Sequence, residues 1–191
     1  GQLMIALFFT MITCIILGMG VPTTANYIIM ATTCAPILIT GMNMNAIAAN
    51  MFVFYFGIVA DITPPVALAA YAGSAIAKAN PMKTAFQATR LAIAAFLIPY
   101  IFALNPAMLF IDTTAFDVIL VIVTSFIGMA GVASGIEGYF LRRMNIVERV
   151  LIAIGGLMML YPGVATDIIG IVIVVAIGAF QVMQTKRGAH A

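Results

Sequence analysis

Charge is what this sequence has least of. Only 7% of its 191 residues are Asp, Glu, Lys or Arg, 64% are hydrophobic, and the mean hydropathy is +1.20. So few charges cannot cover the surface of a soluble domain of this size, so the composition points to an all-α polytopic membrane protein. Alternation of apolar and polar residues is also missing. The apolar runs are continuous, which argues for helices and against a β-barrel. Tryptophan is absent, and the single histidine, His190, sits in a polar tail where it is expected to be solvated. With no histidine or Ser–Lys pair at membrane depth there is no nucleophile–base couple, and catalysis is not expected. No Walker-type glycine loop is present either, so ATP-driven pumping by this chain is not expected. Cys14 and Cys34 lie in apolar segments without CxxC spacing, and both read as small buried residues. The net charge of +2 gives no ground to expect a nucleic-acid partner.

What is present is a set of interruptions. Ala60-Asp61-Ile62-Thr63-Pro64-Pro65-Val66 lies inside an apolar run from Ala46 to Ala77 that holds no other charge. Adjacent prolines remove two N–H donors and forbid a regular helix through that point. In lipid the freed carbonyls need protein, water or an ion. A carboxylate at that depth is costly and marks a functional site by default. The expectation is two half-helices, Ala46–Ile58 and Val66–Ala77, joined by an unwound middle.

A second interruption precedes it. Leu3–Leu17 is apolar but only about 22 Å long as a helix, too short to span comfortably. Gly18-Met19-Gly20-Val21-Pro22-Thr23-Thr24-Ala25-Asn26 then breaks it, and a second arm, Tyr27–Thr40, follows with a bend expected at Pro36. Two short arms around a Gly/Pro/Thr tip describe a re-entrant hairpin; the competing reading is two short crossings joined by a tight turn. Further along, Ala69, Gly73 and Ala77 form a small-residue stripe suited to close backbone approach. Asn80 and Pro81 read as the cap and first position of a helix that runs to Leu104, with a kink expected at Pro99. Its first turns carry Lys83, Gln87 and Arg90 and are expected at the interface, where Arg90 snorkels or, in a sharper reading, faces an anionic substrate. Val118–Tyr139 carries Gly128, Gly131, Gly135 and Gly138 on one face, a packing seam. The last helices, Val150–Tyr161 and Ile168–Met183, flank Pro162–Asp167. The division expected is 1–77 as hairpin and broken helix, 78–110 as an amphipathic start and a crossing, and 111–191 as a C-terminal extension.

The basic residues orient these elements. With Lys78, Lys83 and Arg90 in the cytoplasm, alternate crossings put Arg142, Arg143 and Arg149 there too, and then Lys186 and Arg187. All eight basic residues share one side. The C-terminus is then cytoplasmic, and the hairpin opens outwards with its tip dipping towards the break at Asp61.

Paired broken segments are a sequence pointer to a secondary-transporter binding site. Half-helix N-termini suit an anion, so Pro22, Thr23, Thr24, Asn26 and Thr63 are candidate substrate-binding residues. Oxygen-rich surroundings without sulfur or imidazole suit Na⁺. The candidate ion residues are Gly18, Gly20, Thr24, Asp61, Thr63 and Pro64. Desolvation raises a carboxyl pKa, so Asp61 is equally a candidate proton carrier. The bland reading is that both breaks are kinks satisfied by neighbouring helices.

Gly18–Tyr27, Phe52–Phe56 and Ala60–Tyr71 resemble the large membrane subunit of tripartite ATP-independent periplasmic (TRAP) transporters, with Asn80-Pro81-Met82 and Asn105-Pro106-Ala107 similar to the branch in which the two membrane subunits are fused. The resemblance covers roughly residues 1–110. It implies an elevator-type transporter in the bacterial inner membrane that takes an organic acid from a periplasmic substrate-binding protein. It implies driving by a cation gradient, Na⁺ or, in this branch, H⁺. The Gly18–Asn26 tip and the Asp61–Pro65 break would then make one cation site and half of the substrate site. The chain is expected to be the C-terminal fragment of such a permease and to require its remaining helices. The alternatives are a non-transporting membrane anchor or assembly subunit, and a channel-like ion path.

Overall fold

The computed structural model describes residues 2–188, with side chains to residue 184. His190 and the side chains of Lys186 and Arg187 lie outside that range. The described residues are helical, with no strand beyond an isolated bridge between Tyr139 and Arg143. The helices are α1 Gln2–Gly18, α2 Thr23–Thr33, α3 Ala46–Val59, α4 Leu68–Ala77, α5 Pro81–Leu91, α6 Ile93–Leu104, α7 Ala115–Glu137, α8 Ile146–Leu160 and α9 Val164–Gly188. Four stretches are long and apolar enough to cross a bilayer: Thr23–Gly41, Pro81–Leu104, Ala115–Glu137 and Val164–Gln184. The chain is a multi-pass membrane protein. Two compact units form it, Gly1–Leu109 and Phe110–Ala191.

In the first unit α3 is the central element, packed against α1, α2 and α6. Phe52 and Phe56 are fully buried and meet Tyr100 of α6 edge-on, at centroid distances of 5.4 and 5.9 Å. Such pairs add stabilisation beyond the area they bury. Asn45 starts α3, its Oδ1 accepting from the Ile47 and Ala48 N–H groups, which satisfies donors a helix start leaves open.

Three expectations need correction here. The second hairpin arm is not short: the helix begins at Thr23, directly after Pro22, and continues as a wider π-type turn over Ile37–Gly41, giving a 19-residue stretch. Pro22, with its fixed φ of −55°, sets up the helix start instead of prolonging the tip. Thr23, Thr24 and Asn26 are therefore first-turn residues. The helix after Asn80 is not continuous: it is interrupted at Ala92, where the polar face of α5 gives way to the wholly apolar α6, and Pro99 sits inside α6. Asn80 does cap it, accepting from the Lys83 N–H at 3.1 Å. Finally, the stripe of Ala69, Gly73 and Ala77 is exposed, and a Cβ at Gly73 would meet nothing within 4 Å. No backbone of the described residues uses that seam.

The second unit is a three-helix assembly held by glycines. A Cβ on Gly128 would lie 2.8 Å from the Gly156 carbonyl, and one on Gly135 would lie 2.8 Å from the Arg149 carbonyl. α7 and α8 therefore touch backbone to backbone, the arrangement small residues permit in lipid. Gly155, next to Gly156, faces the Ile173 side chain of α9 instead. Gly138 departs from the expected seam: at φ +74° it is the left-handed residue that ends α7. Thr114 and Asp117 form a capping box at the start of α7, and Asn145 and Glu148 form one at the start of α8. α8 thus begins at Ile146, four residues earlier than expected, and Arg149 belongs to its first turn. Fully buried Gln181 of α9 accepts from the Leu141 and Arg142 N–H groups, at 3.1 and 3.4 Å, and donates to Glu148 Oε2 at 3.1 Å. That ties the end of α9 to the Arg142–Arg149 connection, which holds Arg142, Arg143 and Arg149.

Candidate functional site

The break in the first unit begins where α3 tightens into a single 3₁₀ turn, Ala60–Ile62. Thr63 is extended, Pro64–Pro65 is a cis peptide, and α4 starts at Leu68 after Ala67. Ala67 is fully buried and held at φ +38°. A non-glycine residue in that region costs about 1–3 kcal/mol and persists only where its surroundings over-determine it.

Most of the freed carbonyls have protein donors. Thr63 Oγ1 donates to the Val59 carbonyl at 2.7 Å and Tyr71 Oη to the Pro65 carbonyl at 2.7 Å. Thr89 of α5 reaches across 27 residues to donate to the Ile62 carbonyl at 3.1 Å. The Thr63 N–H donates to Ala60, and the Ala67 N–H to Thr63. The carbonyls of Asp61 and Pro64 receive no such bond, and the Asp61 carboxylate has no hydrogen bond or ion pair among the described residues.

The hairpin reaches this break through Gly18, Asn26 and Gly57. Asn26 is 3% exposed, and its Nδ2 donates to the Gly57 carbonyl at 3.0 Å. Gly18 sits directly beneath that bond. A Cβ there would lie 2.9 Å from Asn26 Nδ2, 2.9 Å from the Gly57 carbonyl and 3.0 Å from the Ala60 Cβ. A Cβ on Gly57 would lie 3.0 Å from Asn26 Nδ2 and from Met30 Sδ. Both glycines are required for the helices to approach this closely. The other end of the same amide, Asn26 Oδ1, is buried without a hydrogen-bond partner. A buried orphan acceptor costs about 1–3 kcal/mol unless something supplies a donor or a cation.

The predicted site residues divide accordingly. Gly18 and Asn26 come together with the end of α3. Asp61, Thr63 and Pro64 follow in the next turn, partly buried. Pro22, Thr23 and Thr24 are exposed at the start of α2, and no hydrogen bond links them to Asp61, Thr63 or Pro64. Gly20 is exposed at φ +74° and forms the turn between α1 and α2. α3, α5, α7 and α8 have side-chain caps, whereas α2 and α4, which begin inside the two breaks, have none, as is also true of α6 where it continues from α5. The first N–H groups of α2 and α4 remain available to an anion.

Sequence reasoning missed Gly57, Thr89 and Tyr71. Gly57 had a usable signal, a glycine in an apolar helix one turn before a break. Thr89 and Tyr71 had none, because their partners depend on where α4 and α5 fold back. Cys14 and Cys34 are free and buried.

A family model described as "Tripartite ATP-independent periplasmic transporter, DctM component" matches residues 1–116. No curated protein and no solved structure matches the chain. The matched residues contain both breaks and every candidate site residue.

Proposed function

We propose, from the premise that this chain belongs to the family of the DctM component of tripartite ATP-independent periplasmic transporters, that it forms part of the path for cation-coupled uptake of an organic acid. The family is one of transporter permeases and not of enzymes. The acid would be handed over by a periplasmic substrate-binding protein and driven by Na⁺ or H⁺, with this chain in the inner membrane, its C-terminus cytoplasmic, and its hairpin and broken helix in the part that moves.

The observation that carries this reading is the buried contact of Asn26 with Gly57, one amide joining the two breaks while its own oxygen lacks a partner. Around it the chemistry suits both ligands. The substrate residues would be Pro22, Thr23, Thr24, Asn26 and Thr63, whose part is to present the uncapped start of α2 and polar side-chain atoms to a carboxylate. The ion residues would be Gly18, Gly20, Thr24, Asp61, Thr63 and Pro64. Within that set the Asp61 carboxylate and the Asp61 and Pro64 carbonyls have no donor, and Thr63 Oγ1 keeps its lone pairs while donating to Val59. Oxygen donors of this kind fit a hard monovalent cation. Gly18 fits the role less well through its carbonyl, which accepts from the Val21 N–H at 3.4 Å; its clearer part is to permit the helix approach.

A second reading, in which the breaks are kinks in an anchoring subunit, draws on the donors that Thr63, Tyr71 and Thr89 supply. It leaves Asp61 and Asn26 Oδ1 without purpose. Uptake into vesicles by the full permease separates the readings. Transport needing both the binding protein and an imposed cation gradient is the expected result. Unchanged uptake after the gradient is collapsed would exclude coupling, and flux without the binding protein would indicate a channel.

A further inference from the structure

In the second unit an apolar groove of about 420 Å³ opens between α7 and α8, lined by Gly135, Ile136, Ile146, Arg149, Val150 and Ala153. Arg149 is the single charged residue in it. Its Nε donates to the Gly135 carbonyl at 2.9 Å and its Nη2 to the Ile136 carbonyl at 2.8 Å. Those two bonds fix the guanidinium across the end of α7 and leave its remaining N–H groups unassigned. Among the described residues no carboxylate pairs with Arg149 or with exposed Arg143. Arg142 differs, since Glu148 holds it at 2.7 Å and Gln181 holds the other Glu148 oxygen. Glu148 is thus already paired, Glu137 next to Ile136 at the end of α7 has an interaction of its own, and Arg149 keeps guanidinium N–H groups beyond its two carbonyl bonds.

We propose that this groove binds an acidic phospholipid, with an acyl chain between α7 and α8 and the phosphate on Arg149, the exposed Arg143 of the preceding connection adding positive charge at the same end of the unit. Depth supports it: α7 is long enough to cross the bilayer, Arg149 lies at its end, and Ala153 lies about 6 Å further in along α8. The apolar walls at that depth suit an acyl chain, and a planar guanidinium pinned by two backbone carbonyls is pre-organised for a phosphate. Basic pockets between helices at a membrane surface are suited to anionic headgroups. The site is separate from the two breaks and does not depend on the cargo or coupling ion.

The test is native mass spectrometry of the full detergent-solubilised permease, titrated with dioleoyl phosphatidylglycerol or dioleoyl phosphatidylcholine. Preferential retention of phosphatidylglycerol is expected. Arg149→Gln should weaken that binding about tenfold or more, the scale of one charge-assisted contact. Arg149 also closes α7, so two milder variants keep the test decisive if that protein misfolds. Arg143→Gln should weaken phosphatidylglycerol about fivefold and leave phosphatidylcholine unchanged. Val150→Trp fills the groove without altering charge and should weaken both lipids. Equal retention of the two lipids, or phosphatidylglycerol binding unchanged in both Arg143→Gln and Val150→Trp, overturns the proposal. So does cross-linking of Val150→Cys to another helix of the permease, which would show that protein fills the groove.

Discussion

Asn26→Leu is expected to lower uptake roughly tenfold or more while the protein still inserts. The leucine removes the donor to the Gly57 carbonyl, which is buried against α1 and α2. An orphaned buried acceptor costs about 1–3 kcal/mol, and each 1.4 kcal/mol is a factor of ten. It also removes Oδ1, the buried oxygen without a protein partner. The same contact can be attacked from the glycine side without changing polarity. Gly18→Ala places a methyl 2.9 Å from the Gly57 carbonyl, which is backbone and cannot swing aside. Gly57→Ala places one 3.0 Å from Asn26 Nδ2. Both should lower uptake in the same direction as Asn26→Leu, measured as initial rate normalised to membrane-inserted protein. If all three variants transported at the normal rate, the joint between the breaks would have no part in transport.

The largest stability effect is expected at Gly156→Leu. The site is the crossing of α7 and α8, where a Cβ at Gly156 runs into the Gly128 carbonyl and lies 2.8 Å from the Val132 N–H nitrogen. Overpacking usually costs about 1–3 kcal/mol. Here the obstacle is backbone, and relief requires the helices to separate along their glycine seam, so a cost of about 3 kcal/mol or more is expected. Gly73→Ala is the control with the opposite sign. It lies within α4, its Cβ would meet nothing within 4 Å, and the gain should be about 0.4–1 kcal/mol. Thermal unfolding of the solubilised permease should place Gly156→Leu well below and Gly73→Ala at or above the parent. Equal melting temperatures for Gly156→Leu and the parent would mean that the seam does not form.

The helical class, both breaks and the family were legible in the sequence because each has a local cause. Continuous apolar runs set the class; Pro64 and Pro65 set one break and Gly18 to Pro22 the other. Asn80 was read as a helix start for the same reason, since capping is decided within four residues. What escaped was non-local. Gly155 and Gly156 point at different helices, and nothing nearby in the chain says which. Thr89 satisfies Ile62 only because α5 folds back over the break. The length of the second hairpin arm was misjudged because Thr23 to Asn26 look like loop residues by composition, while Pro22 starts a helix through them. The stripe of Ala69, Gly73 and Ala77 had the right spacing for packing and lies exposed, so spacing alone did not reveal whether a partner is present.

The central claim is that the break at Asp61 carries the coupling cation. Initial uptake by the full permease and its binding protein, measured against Na⁺ concentration at fixed pH and against pH at fixed Na⁺, addresses it in parent and Asp61→Asn proteins. The account predicts that Asp61→Asn, which keeps the size and removes the charge, loses the cation dependence together with concentrative uptake. An Asp61→Asn permease with the parent's rate and the parent's cation dependence would contradict it.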